Sequence, residues 1–499
     1  MSWSALAAEG ATPRRTPAVA APPLTLEDCI AIALKQNFDI RLNRLDYNNA
    51  VQDAEIARAV FDPAVTANFT SDHTQSAVAN STLQGAPQPK STTATLTFGL
   101  TDHLPTGADI TLGLDSTGLK TNSSFSLLNP SYDSDYRITL RQPLLKNGGL
   151  HANLIPLELS KIAIGDSDLR TRKGILATLA AVEMAYWDLQ LARQEERFAG
   201  EDVETSEKLL AEVKVRSEAG LSNGLDLLRA ESSVASKQEA LITNRQATAN
   251  RSDALLQLLG LRHFDDVAVS RTVSLPVLGG SPADPQSEFA LAQTTDPDYL
   301  TTLDGIKRGK LGLDQARNNL LPSFDAVASG SLSGQSDTYF SAYDRAAHGD
   351  GRDWSVGFEV RIPLTFREER ARLQQAKNNL ATAQLQVEQA AQKLAITVRT
   401  ACRALESSRQ RVAASSASLR LSQNQYNFAE EQFAQGLVEF RDVLDAQQAL
   451  SSERVAHLRA RVEVVRAEVE LNRLDGALLA RHGLAWKDTR DARKPMTPR

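Results

Sequence analysis

Two glycine-marked stretches lie a fixed distance apart and carry the same landmarks, which constrains the fold more than any composition value. Placing Gly220 of VRSEAGLSNGLDLLRAE on Gly436 of FAQGLVEFRDVLDAQQ is an offset of 216 (436 − 220). It brings Leu221 onto Leu437, Asp226 onto Asp442, Leu228 onto Leu444, Ala230 onto Ala446 and Gly260 onto Gly476. The same offset joins Val182 to Val398, Ala185 to Ala401 and Leu189 to Leu405. Upstream, RQPLL at 141 matches RIPLT at 361, and Ala57-Arg58 with Pro63 matches Ala316-Arg317 with Pro322. The offsets differ but the order does not, so the chain is a tandem duplication whose copies have since gained and lost residues.

Each copy follows one plan. A helical segment (Asp28 to Phe61, or Tyr299 to Leu321) ends before Pro63 or Pro322, because proline disfavours the α conformation in the residue before it. Strand-like alternation follows. Val65, Ala67 and Phe69 alternate with Thr66, Asn68 and Thr70, and Leu96, Phe98 and Leu100 alternate with threonines. Ile110, Leu112 and Leu114, then Tyr136, Ile138 and Leu140, continue the pattern, and Trp354, Val356, Phe358, Val360 and Ile362 carry it in the second copy. A period of two gives one apolar and one polar sheet face, as in a half-buried sheet or a membrane barrel. Pro143 or Pro363 closes the strands and a very long helix follows, from about 159 to 218 and from about 367 to 434. Helices then return over about 224–259 and 439–475, so Gly220 and Gly436 read as left-handed residues at two hairpin tips.

Spacings of three and four run along these helices, for example Ile175, Leu179, Val182, Tyr186 and Leu189, or Val455, Leu458, Val462, Val465 and Val469. Such narrow stripes pack sideways on neighbouring helices, as coiled coils do. The predicted division is a tail over 1–23, a first repeat over 24–275 with strands at about 64–143 and a helical hairpin at about 159–260, and a linker over 276–298. A second repeat over 299–478 has strands at about 324–363 and a hairpin at about 367–476, followed by a basic tail over 479–499. The tail begins MSWSALAA, which looks like the end of a signal peptide with its A-x-A site; a disordered Ala/Pro tail is the other reading.

Composition removes several function classes. Net charge is −6 with scattered basic residues, which gives nucleic acid no docking patch. Aromatic residues are only 5%, which suits long helices better than a packed enzyme pocket. The two cysteines, Cys29 and Cys402, have no metal-ligand spacing and read as small buried hydrophobes. The seven histidines form no pair at helical spacing, and no nucleophile elbow, zincin motif or phosphate loop is present, so neither catalytic residues, metal ligands nor a cofactor is expected. No run of 18 apolar residues reads as a transmembrane helix.

The ordered set of helix, proline, strands, proline, long helix, G-L-x-x-x-x-D-[VL]-L tip and returning helix, present twice, resembles the TolC-type outer-membrane efflux proteins. The resemblance covers roughly 24–480; LTLEDCIAIALKQNFDI looks like the family's N-terminal signature and EFRDVLDAQQAL like its second tip. It implies a mostly α fold with membrane β structure. Three identical subunits would each give about four strands to a shared outer-membrane β-barrel and four helices to an α-helical tunnel through the periplasm. A periplasmic adaptor and an inner-membrane pump are the implied partners, with outer-membrane lipid around the barrel. One departure stands out: Pro63 and Pro143 are 80 positions apart, against 41 for Pro322 and Pro363. LTDHLPTGADITLGLD looks like an additional hairpin turning at Pro105-Thr106-Gly107, either within the barrel or in an external loop.

Glu439, Asp442 and Asp226 lie near helix N-termini, where carboxylates are favoured by the helix dipole alone. By resemblance, Asp442 and Asp445 would instead line the tunnel end as two stacked rings of acids, gating the channel and selecting cations. Asp226 would help close the tip, with Arg441 standing in for the basic residue the family often has where this chain has Val438. Gly220, Leu221, Gly436, Leu437 and Val438 would be the small apolar knobs on which the adaptor docks; ordinary hairpin closure explains them equally. The rival class is a soluble coiled-coil scaffold with a small β domain, and the repeated proline-flanked strands argue against it.

Overall fold

The computed structural model describes residues 24–77, 85–219, 224–261 and 284–484. The N-terminal tail, the first tip at Gly220 and Leu221, the start of the predicted linker (276–283) and the last residues lie outside them. The described residues fall into two compact units. Those up to 44, from 170 to 297 and from 392 onward form the first, and those from 45 to 169 and from 298 to 391 form the second. Each unit therefore draws on both copies of the repeat.

In the second unit six strands form one antiparallel sheet in chain order. They are β1 (Ala64–Gln75), β2 (Lys90–His103), β3 (Asp109–Thr121), β4 (Ser131–Pro143), β5 (Ser323–Ser336) and β6 (Gly351–Arg361). The sequence expectation of about four strands per subunit is corrected to six, because the additional hairpin is laid into the sheet as β2 and β3. Register fixes the faces, since directly paired residues share one. Val65, Leu100, Leu112 and Ile138 form one apolar row and continue through Gly330 to Trp354. The alternate residues are mostly polar, with threonine, serine, aspartate and arginine prominent, including Thr97, Asp115 and Asp135 in one row.

The apolar face is open. Val65 is 75% exposed, Trp354 81% and Phe358 66%. At the strand ends remote from the helices, α7 (Tyr339–His348) covers part of this face. Its seat is made of small residues: a side chain at Gly334 would strike the α7 backbone at Ala342 and Ala346. Tyr339 and Tyr343 pack on Tyr132 and Tyr136 with ring centroids 4.1 and 5.9 Å apart. The predicted strand region of the second copy thus contains a short helix, started by Thr338, whose Oγ1 accepts from the Ser341 amide at 3.4 Å, and stopped by Gly349 at φ +75°.

The first unit is helical. The helices among the described residues are α1 (Leu26–Gln36), α2 (Phe38–Arg58), α3 (Leu150–Glu218), α4 (Gly224–Leu259), α5 (Pro285–Thr295), α6 (Pro297–Asn319), α7, α8 (Arg367–Ala434), α9 (Phe440–Leu474) and α10 (Ala477–Arg481). The two long hairpins match closely: 69 and 36 residues for α3 and α4, 68 and 35 for α8 and α9. At ~1.5 Å per residue, α3 and α8 are each roughly 100 Å of helix. α3 begins nine residues before the expected start at 159 and runs through Pro156. Its first turn is held by Asn153, whose Nδ2 donates to the carbonyls of Asn147 and Gly149 at 2.9 Å.

The single N-terminal helix expected over 28–61 is divided. Asn37 ends α1 and starts α2: its Oδ1 accepts from the amides of Asp39 and Ile40 at 2.9 and 3.1 Å, and its Nδ2 donates to the Leu258 carbonyl. α1 itself opens with a capping box between Thr25 and Asp28. The core of this unit joins Cys29, Ile30 and Ala33 to Leu179, Val182, Tyr186 and Leu189 of α3, Leu255 and Leu259 of α4, and Val462, Val465 and Val469 of α9. The three-and-four stripes of the sequence are therefore the packed faces. Cys29 and Cys402 are buried free thiols, and burial pushes the Cys29 thiol up to about 11, far from reactivity.

Candidate functional site

The described tip joins α8 to α9. Gly436 has φ +75°, its amide donates to the Phe433 carbonyl at 2.9 Å, and the Leu437 amide donates to that of Gln432 at 2.9 Å. This pair of bonds is a Schellman stop, which needs a residue tolerant of the left-handed region at Gly436. Within the turn Leu437 is exposed, while Val438 is half-buried against an apolar cluster of Leu209, Val213, Ala230, Phe433, Phe440 and Val443. The Phe433 and Phe440 rings meet at 5.6 Å.

Arg216, near the end of α3, ties this cluster together and was not singled out from sequence. Its guanidinium lies 4.3 Å from the Phe433 ring centroid. Nη1 donates to the Phe433 carbonyl at 2.9 Å and Nη2 to that of Ala434 at 3.2 Å. Those carbonyls belong to the last turn of α8, where the helix itself offers no donors and a cation complements the dipole. A basic residue four positions before Gly220 was a signal for helix capping, but not for capping a different helix.

Asp442 and Asp445 are both exposed on one side of α9, with Asp442 in its first turn. Arg441 does not reach towards α4. Its Nε sits 3.5 Å from Asp445 Oδ2 on its own helix, with both side chains about 70% exposed (68% and 71%). Asp226, in the first turn of α4, lies 3.5 Å from Arg229 Nη1, again one turn along the same helix. The structure thus brings Asp442, Asp445 and Arg441 to one exposed helix start and keeps Asp226 on the neighbouring one.

Behind the tip, polar pairs join α3, α4 and α9, none of them foreseen; Gln447 with Ser206 is buried and the others are partly or fully exposed. Ser451 Oγ donates to Asp202 Oδ2 at 2.5 Å, Gln447 Nε2 to Ser206 Oγ at 3.3 Å, and Lys237 Nζ to Gln448 Oε1 at 2.6 Å. Asp188 of α3 pairs with Arg466 of α9 and lies 3.6 Å from Arg251 of α4. Charged hydrogen bonds of this kind fix the register of long helices that apolar stripes alone would let slide. Among the described residues no cluster of His, Cys, Asp or Glu could hold a metal ion, and no helix is long and apolar enough to cross a membrane.

This geometry, an open apolar sheet face joined in sequence to paired long helices, is shared by known proteins. Similar solved structures include CusC (TM-score 0.68, 17% identity, 90% of this chain and 91% of that one). Another is the Campylobacter jejuni CmeC outer membrane channel (TM-score 0.66, 17% identity, 94% and 88%). Outer membrane efflux protein BepC of Brucella suis is 25% identical over 304 residues, covering 61% of this chain and 64% of that protein. The toluene efflux pump outer membrane protein TtgI of Pseudomonas putida is 26% identical over 273 residues, 52% and 54% respectively. The matched region spans less than two thirds of the length of either relative. The outer membrane efflux protein family model matches residues 29–261 and 307–477, both copies of the repeat. The chain belongs to the outer membrane efflux protein family, and with it to the outer membrane.

Proposed function

We propose that the chain is one subunit of a homotrimeric channel-tunnel that passively exports cargo handed to it by an inner-membrane pump through a periplasmic adaptor, in a tripartite efflux or type I secretion system. The sheet carries this reading. Among the described residues β1 and β6 each have an unpaired edge, and the face that water would reject is exposed. Open edges cannot persist in hydrocarbon, so the sheet must close on copies of itself. Three-fold closure would also set three copies of the α8–α9 tip around one axis. Asp442 and Asp445 would then form two rings of like charge that admit cations, with Asp226 and Arg441 near the closing contacts and Gly220, Leu221, Gly436, Leu437 and Val438 as the adaptor's footholds. Arg441, already paired with Asp445, would soften the Asp445 ring.

The test is single-channel recording in planar bilayers on protein extracted from outer membranes, alongside the double variant Asp442→Asn with Asp445→Asn. Cation-preferring channels whose preference or cation block falls in the double variant are expected. Channels indifferent to the change would leave the acids as helix-start residues, and a protein without bilayer activity would sink the channel itself.

A further inference from the structure

We infer that this subunit builds an outer-membrane barrel of eighteen strands, half as many again as about four strands per subunit would give, and that the barrel is wider than its own helical tunnel requires. The inference rests on the trimeric reading above: three copies of a six-stranded sheet make eighteen. What distinguishes it is the hairpin of β2 and β3.

Three observations place that hairpin in the wall of the barrel. First, β2 and β3 have 14 and 13 residues, as long as their neighbours and longer than the ~9–11 a tilted strand needs to cross the hydrocarbon. They pair along nearly their whole length, residues 90–101 of β2 with β1 and 109–119 of β3 with β4. Second, they keep the two faces of the sheet in register. Phe98 and Leu100 of β2 and Leu112 and Leu114 of β3 lie on the exposed apolar face, and Thr97 and Thr111 on the polar one. A flap standing in water would have no use for that row. Third, the turn between them is built into the base of the sheet. The Gly149 amide donates to the Thr106 carbonyl at 3.0 Å, Gln142 Nε2 donates to the same carbonyl at 3.2 Å, and Ala108 is buried. A side chain at Gly107, at φ +87°, would meet Asn147 and Asn153.

The hairpin adds no helix. Sequence leads from α2 into β1, from β4 into α3, from α6 into β5 and from β6 into α8, whereas β2 and β3 join only each other. With strands ~4.8 Å apart and tilted ~40°, a twelve-stranded barrel has a backbone radius of about 12 Å and an eighteen-stranded one about 18 Å, roughly doubling the cross-section. The widened mouth is lined on β2 and β3 by hydroxyls such as Thr95, Thr97, Thr111 and Thr117, so it suits bulky hydrophilic cargo.

Electron cryomicroscopy of the full chain in lipid nanodiscs tests the count. Trimers whose barrel shows eighteen strands are expected. Trimers with twelve strands and residues 90–121 outside the wall would overturn the inference while leaving the channel reading intact, and particles that close no ring would overturn both. Cysteine accessibility gives a second readout on the same trimers, since both native thiols are buried. A charged maleimide should label Thr97→Cys and Thr111→Cys about tenfold or more faster than Phe98→Cys and Leu112→Cys, because a thiol in hydrocarbon does not ionise. Equal labelling at all four positions would place the hairpin in water and end the proposal.

Discussion

Leu179 and Leu112 are the same residue solved in opposite ways. Leu179 sits in the helical unit with no exposed surface, walled by its own chain. Leu112 is 43% exposed in the middle of an apolar row that no part of the described chain covers. One region hides its apolar atoms from water behind protein; the other presents them outward in period-two order, so its solvent has to be lipid. Exposure that would be a defect in the helices is the working surface of the sheet.

The largest separation between the two regions should come from truncation. Leu179→Ala should cost about 2–5 kcal/mol in denaturant unfolding, because it leaves a cavity among fixed neighbours. Leu112→Ala in reconstituted protein should cost clearly less, since fluid lipid fills the gap; equal costs would mean the sheet face is packed by protein. Charge reverses the ranking. Leu112→Arg should lower folding into vesicles by about 2–4 kcal/mol, whereas Thr111→Arg, one residue along and on the other face, should be nearly neutral. If both behaved alike, the assignment of faces would be wrong.

At the tip, Arg216→Ala removes a stacked cation and two charged hydrogen bonds, a loss of about 1–3 kcal/mol local to the α8 terminus. Amide hydrogen exchange at residues 434–438 should quicken by about tenfold or more without change in the core around Val182. The smallest effect concerns pH. Burial raises the Asp475 carboxyl, and burial, then the nearby Asp475, raises that of Glu288. A raised carboxyl favours the folded state fully below its ordinary pKa and loses that contribution as pH climbs through the raised value. Glu288→Gln should therefore stabilise the protein slightly at neutral pH, with the advantage vanishing in acid. A variant less stable at pH 7 would show that the Glu288 charge is matched by a partner.

Much of this was legible because periodicity is written locally. The alternation around Phe98 and the stripe from Leu179 to Leu189 each gave the element and its apolar face; what covers the sheet's apolar face they left open. The breaks were harder. Asn37 divides a helix through two side-chain bonds that look no different from any helical asparagine until the Leu258 carbonyl arrives from 221 residues away. α5 hid in a stretch read as linker, although Asp284-Pro285 is a cap followed by a first-turn proline: Asp284 accepts from the Gln286 and Ser287 amides at 3.4 and 3.1 Å. α7 was lost among strands because its apolar side is alanine and tyrosine, small or half-polar. Asp226 and Asp442 were found by repeat alignment. Arg216 and the pairs of Asp202 and Asp188 were not, since which helix a charge meets is decided by packing rather than spacing.

The turn at Gly107 has an evolutionary reading. A hairpin inserted between two antiparallel strands returns the chain to the side it left, pointing the same way, with its inner and outer faces unchanged. Such a unit can be gained or lost without moving a single helix. The number of strands in this sheet and the number of helices are therefore separately heritable, and lineages can change one while the other stays as it was.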